Sequence, residues 1–153
     1  MSFDCVPPPP KILMDPDYVP DWRIQIKVEF YITGDFDPQE ATKKIGLEPT
    51  ETRRKEEFRL KEFATNEWGI TIDYEYSYDP NEGLSKLYHL LKDKEKKIIE
   101  YCQQNKLIIG ITIVVRSDQG NHPYMGINRE FIQFAARLNA EVLFDMYLNS
   151  EFV

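Results

Sequence analysis

From Ile24 to Ile32 the chain alternates without a break between apolar and polar side chains. Ile24, Ile26, Val28, Phe30 and Ile32 share one parity, and Arg23, Gln25, Lys27, Glu29 and Tyr31 share the other. A sustained period of two marks a strand with one buried face. It also constrains the rest of the molecule. A strand buried on both faces reads as a continuous apolar run, so the polar parity predicts a sheet that is wet on one side and covered by helices mainly on the other.

The segments that follow supply the cover. Asp37-Pro38-Gln39-Glu40 is a helix start, with Asp37 as cap, Pro38 in the first helical position and Glu40 completing a capping box. Ala41 and Ile45 form the inner side of a short helix, Gly46 provides the left-handed residue that ends it, and Leu47 folds back beneath. Residues 51–63 mix Arg53, Arg54, Lys55, Arg59 and Lys61 with Glu51, Glu56, Glu57 and Glu62 and read as a self-neutralised connector that includes a short edge strand. A second strand places Trp68, Ile70, Ile72, Tyr74, Tyr76 and Tyr78 on one face and Glu67, Thr71, Asp73, Glu75 and Asp79 on the other. Pro80 to Gly83 then open one long helix to about Lys106, striped by Leu84, Leu87, Leu91, Ile98 and Cys102 and bending near the fully charged run Asp93 to Lys97. Leu107 to Val115 is apolar on both parities, as an inner strand should be. A third helix is expected over Ile127 to Leu138, with Asn139 left-handed after it. A last strand has Val142, Phe144, Met146 and Leu148 inward and Glu141, Leu143, Asp145 and Tyr147 outward.

The predicted class is α+β: one mixed or largely antiparallel sheet of four to five strands, with three helices mainly on one face, in the order strand–helix–strand–helix–strand–helix–strand. Residues 24–78 and 107–148 echo each other as strand, short helix, strand, a pattern suggestive of a β-α-β pseudo-repeat. The domain spans 23–153. Residues 1–22 are set apart as an arm, in which Pro7 to Pro10 favour an extended path.

Charge and composition narrow the function. The 153 residues carry 19 Lys+Arg and 26 Asp+Glu, a net −7. The arm holds four of the acids and one of the bases, so −3 of that charge precedes the domain. The balance argues against a nucleic-acid surface, which needs clustered cations. Instead it suits docking onto something basic. No apolar run approaches a membrane span, and Met1 to Val6 have no basic segment followed by an apolar one, so neither membrane insertion nor a signal peptide is expected. Two cysteines, Cys5 and Cys102, point to a reducing, cytoplasmic setting.

The residues that bear chemistry form no catalytic set. There is no phosphate-binding glycine loop and no nucleophile elbow. His89, His122, Cys5 and Cys102 lack metal-ligand spacing. Neither a metal nor a cofactor is expected. His89 reads as a helix-surface histidine, Cys102 as a small core hydrophobe, and His122 as a loop residue that would need a partner and a cleft to act as a base. What remains for binding is the outer parity of the second strand (Glu67, Asp73, Glu75, Asp79), the aromatic row Trp68, Tyr74, Tyr76 and Tyr78, and Asp145 with Tyr147 on the last strand.

Phe30-Tyr31-Ile32-Thr33-Gly34-Asp35-Phe36-Asp37-Pro38, followed by Ile45-Gly46-Leu47-Glu48-Pro49-Thr50, resembles the opening signature of a bacterial family known as domain of unknown function four-two-seven-nine. Trp68, the leucines 84, 87 and 91, and Leu138-Asn139-Ala140-Glu141-Val142-Leu143-Phe144-Asp145-Met146-Tyr147 extend the resemblance over about residues 26–148. Where the family pattern has a basic residue followed by Gly after Thr50, this chain has Lys55-Glu56. The resemblance implies no catalytic residue. By analogy it implies a small cytoplasmic bacterial accessory protein. The expected function is a non-catalytic protein-binding module, most concretely an immunity protein that neutralises a basic secreted toxin. The alternative is a small-ligand or regulatory domain with a pocket lined by Trp68 and the tyrosines.

Overall fold

A computed structural model of the chain describes residues 23–59, 62, 64–118 and 121–148. The proline arm lies outside the described residues. The elements run β1 (Ile24–Gly34), α1 (Pro38–Ile45), β2 (Glu51–Arg53), β3 (Asn66–Tyr76), α2 (Pro80–Leu91), α3 (Glu95–Asn105), β4 (Ile108–Ser117), α4 (Arg129–Arg137) and β5 (Glu141–Tyr147). The class is α+β, as expected. The five strands form one sheet in the order β2-β3-β1-β4-β5. Every pairing is antiparallel except β4 with β5, which is parallel.

β1 lies at the centre, paired on both sides, and its alternation sorts the whole sheet. The apolar parity, Ile24 to Ile32, is buried throughout. Opposed residues of neighbouring strands share a face. Ile70 and Trp68 of β3, and Ile109, Ile111, Ile113 and Val115 of β4, therefore join that parity. The helices pack on this side. A Cβ added to Gly83 of α2 would strike Val28 Cγ2, which places α2 directly over the middle of β1. Leu84, Leu87, Leu91, Ile98, Phe131 and Phe134 complete the core.

Helix ends follow the local chemistry. Asp37 Oδ1 accepts from the Gln39 amide, Pro38 opens α1, and Gly46 closes it at φ 76°. Asp79 caps α2 in the same way through the Asn81 amide. Asn139, at φ 55°, ends the α4 segment. The single long helix expected over 80–106 is broken. A 3-10 turn at Lys92–Lys94 separates α2 from α3. No residue of that turn is buried, so packing does not hold the helical geometry through it, and the stretch reads as one bent unit.

The two-halves echo holds for the order of elements but not for strand direction. β1 and β3 run antiparallel, whereas β4 and β5 run parallel through the α4 crossover. The connector contributes the three-residue edge strand β2, which brings the sheet to five strands.

Trp68 ties the first helix to the sheet. Its ring is fully buried, meets Phe30 edge-on at 6.3 Å, and its indole N–H donates to Thr42 Oγ1 on α1 at 3.0 Å. Trp68→Ala is expected to cost about 3–5 kcal/mol, the usual range for truncating a buried large aromatic. A urea unfolding free energy lowered by that amount, read as a lower midpoint at an unchanged slope, would bear this out.

Candidate functional site

No helix among the described residues covers the second face of the sheet. Its composition follows from the polar parity of β1 and the register. Tyr31 lies between Gly69 and Gly110, Glu29 between Thr71 and Thr112, and Gln25 between Tyr76 and Arg116. β2 adds Glu51 and Arg53 opposite Gly69 and Glu67, and β5 adds Glu141, Leu143, Asp145 and Tyr147. Gly110 leaves room for the Tyr31 ring. A Cβ on Gly110 would fall within that ring, so Tyr31 lies flat over β4, and Thr112 Oγ1 reaches its hydroxyl at 3.4 Å.

A bulge decides which of the predicted residues reach this face. Val28 opposes Ile72, but Ile26 opposes Glu75, so β3 carries one extra residue beside Lys27. An extra residue reverses the parity of everything beyond it. The single aromatic row Trp68–Tyr74–Tyr76–Tyr78 therefore does not form. Trp68 stays in the core, while Tyr74 turns to the open face. There it takes the Arg116 guanidinium 4.0 Å and the Lys27 ammonium 5.0 Å from its ring centroid. Tyr76 also faces outward, opposite Gln25. Tyr78 lies past the strand, half-buried, with its carbonyl accepting from the Tyr124 amide at 2.8 Å.

The predicted acidic row is split by the same bulge. Glu67 remains on the open face. Asp73 sits at the bulge, exposed, and accepts from the Tyr74 amide at 2.7 Å. Glu75 turns to the helix side and pairs with Lys86 of α2 at 2.6 Å. Asp79 is the cap of α2. Asp145 and Tyr147 do share the open face, and the tyrosine hydroxyl donates to Asp145 Oδ2 at 3.0 Å. That bond, with the Asp145 charge, raises the Tyr147 pKa.

What the face assembles is a shallow recess of about 380 Å³ lined by Glu29, Tyr31, Glu51, Glu67, Gly69, Thr71, Thr112 and Asp145 among others. Four carboxylates border it. Lys27 answers one of them, with Nζ 2.7 Å from Glu29 Oε1, and Arg53 lies 3.5 Å from Glu51. Partial burial alone lowers the Lys27 pKa, but the Glu29 bond and the charges of Glu29, Tyr74 and Asp73 outweigh it, so the net shift is upward. Burial raises the Glu67 pKa; Arg53 pulls it back, and Glu51 and Glu29 push it further up. The recess is thus a site of net negative charge that is incompletely neutralised from within. Among the described residues, no three His, Cys, Asp or Glu groups lie close enough to hold a metal ion.

The residues with catalytic potential lie elsewhere. Cys102 is buried between helix and sheet, which pushes its thiol up to about 12 and keeps it protonated. His122 is exposed, with Nδ1 at 3.1 Å from the carbonyl of its own neighbour Pro123. His89 is exposed on α2 beside the Tyr88 ring.

A family model described as Domain of unknown function (DUF4279) matches residues 24–149. The chain belongs to this family. The match begins at the first residue of β1 and runs just past β5, so the family unit is the entire described sheet with its helices. The comparison with curated proteins and that with solved structures each found no match. No helix among the described residues is long and apolar enough to cross a membrane.

The raised Glu67 pKa gives a pH test. The folded state holds this proton more tightly than the unfolded chain does. Ionised Glu67 therefore costs stability above its folded pKa, and that cost disappears as pH falls through the folded value. Glu67→Gln is expected to raise the thermal midpoint at pH 7 by about 1–2 °C, a shift typical of partly exposed positions. The gain should shrink toward zero below about pH 4, where both states are protonated. Melts of both proteins across that range are the check.

Proposed function

We propose that the protein is a binding module without chemistry of its own, and that its open sheet face receives a basic protein surface. A toxin-neutralising immunity protein is the most concrete form of this reading. One observation carries it. The face that no described helix covers gathers Glu29, Glu51, Glu67 and Asp145 around a shallow recess, spread over four strands rather than focused on one point. Carboxylates distributed in this way suit many-point contact with lysines and arginines. They do not suit coordination of a single ion, which needs converging ligands. Tyr31, Tyr74 and Tyr147 supply flat, rigid contact area among them, the kind that carries energy at protein interfaces.

The small-ligand alternative has less support. The single aromatic row it needs does not form on one face, since the Trp68 side chain is buried in the core and the bulge sends Tyr74 to the open face.

The test uses the full chain as bait in a lysate of its native host, beside a Glu29→Lys, Glu67→Lys, Asp145→Lys variant whose circular dichroism matches the parent. Wild type should retain a basic protein, less of it as salt rises, and the variant should lose roughly tenfold or more in affinity. In the immunity form, co-expression should also restore growth against the toxic product of the neighbouring gene. Equal capture by both baits, or none by either, would sink this reading.

A further inference from the structure

The two edges of the sheet are finished differently. At one edge, β2 is three residues long, exposed, and flanks its central Thr52 with Glu51 and Arg53. Short, charged edges of this kind resist pairing with other chains. At the other edge, β5 is seven residues long and contains no Lys, Arg or Pro. It also leaves large apolar side chains in water on both faces. Leu143 is 41% exposed and Tyr147 51% on the open side, and Phe144 is 40% exposed on the helix side. β4 covers the inner edge of β5, and no other strand among the described residues pairs with its outer one.

We propose that β5 pairs antiparallel with β5 of a second copy of this chain, about a two-fold axis passing through Phe144. A two-fold axis perpendicular to the sheet keeps both open faces on one side, so paired residues must share parity. The charges then select the register. Centring on Phe144 opposes Glu141 with Tyr147, Val142 with Met146, Leu143 with Asp145, and Phe144 with itself, so all seven residues pair and no acid faces an acid. Moving the centre to Leu143 sets Glu141 against Asp145. Moving it to Asp145 sets that carboxylate against its own copy. Like charges directly opposed across strands are destabilising, and apolar or aromatic pairs are favourable. The Phe144 register is therefore the one this strand is built for. It joins two five-stranded sheets edge to edge and makes their open faces continuous.

Sedimentation equilibrium of the full chain tests this. The expected mass is twice the 18.1 kDa of the monomer. Two substitutions at one exposed position read the register. Leu143→Glu places a carboxylate opposite the second copy's Asp145 and should weaken the dimer roughly tenfold or more, whereas Leu143→Lys places an ammonium there and should keep it. Circular dichroism should match wild type in both, as should thermal midpoints measured at concentrations low enough for all three to be monomers. A wild-type mass of 18.1 kDa at every concentration overturns the proposal, as does a dimer that responds alike to both substitutions.

Discussion

The structure depends on the burial of one row of side chains. Ile24, Ile26, Val28, Phe30 and Ile32 sit on the central strand and are covered by the helices. Because side chains alternate across a strand, burying that row fixes the other as a solvent face. β3 and β4 then inherit the same sorting through their registers with β1. The helices need only one side to cover, and all the large buried apolar residues of α1 to α4 are used on it. The open face thus follows directly from the way the core is made.

That face is where the chain departs from simple alternation. Gly69 and Gly110 flank Tyr31, and Gly110 lets its ring lie down. The extra residue in β3 then lifts Tyr74 out of the helix layer and onto Lys27 and Arg116. Glycine within a strand interior and a bulge both weaken a ladder locally. The carboxylates beside them keep only part of their charge matched by Lys27 and Arg53. The site therefore combines local irregularity with residual negative charge, on a scaffold that is otherwise regular. Such a combination is expected of a recognition surface more than of a face whose only role is to meet water.

Much of the fold was legible in the sequence because it is encoded by local period and by caps. The alternation of β1, the Asp37-Pro38 and Asp79-Pro80 helix starts, and the left-handed Gly46 and Asn139 all act over a few residues. The break at Lys92–Lys94 was visible as a charged run, but its severity depends on packing that the run does not specify. The site was less legible. Strict alternation sends Glu67, Asp145 and Tyr147 outward, where they lie, but it also sends Glu75 outward and Tyr74 inward, the reverse of their places, because a bulge has no signature when β-branched, aromatic and acidic residues alternate smoothly across it. Glu29, Thr71 and Thr112 do carry a signal, since each holds the polar parity of its strand. What the sequence lacks is the strand order that makes them neighbours, and that order is set by long-range pairing.

The central claim is that recognition takes place on the open face and not on the helix layer. A titration of the isotope-labelled full chain with a short oligolysine, followed amide by amide in NMR spectra, tests it most directly. The helix layer offers competing acids at Glu40, Glu100 and Glu130 and, in the turn between α2 and α3, at Asp93, all exposed. The account predicts shifts concentrated at Glu29, Thr71, Thr112 and Asp145 and their strand neighbours, and lost in high salt. Shifts spread evenly over the helical acids, with the open face silent, would contradict it.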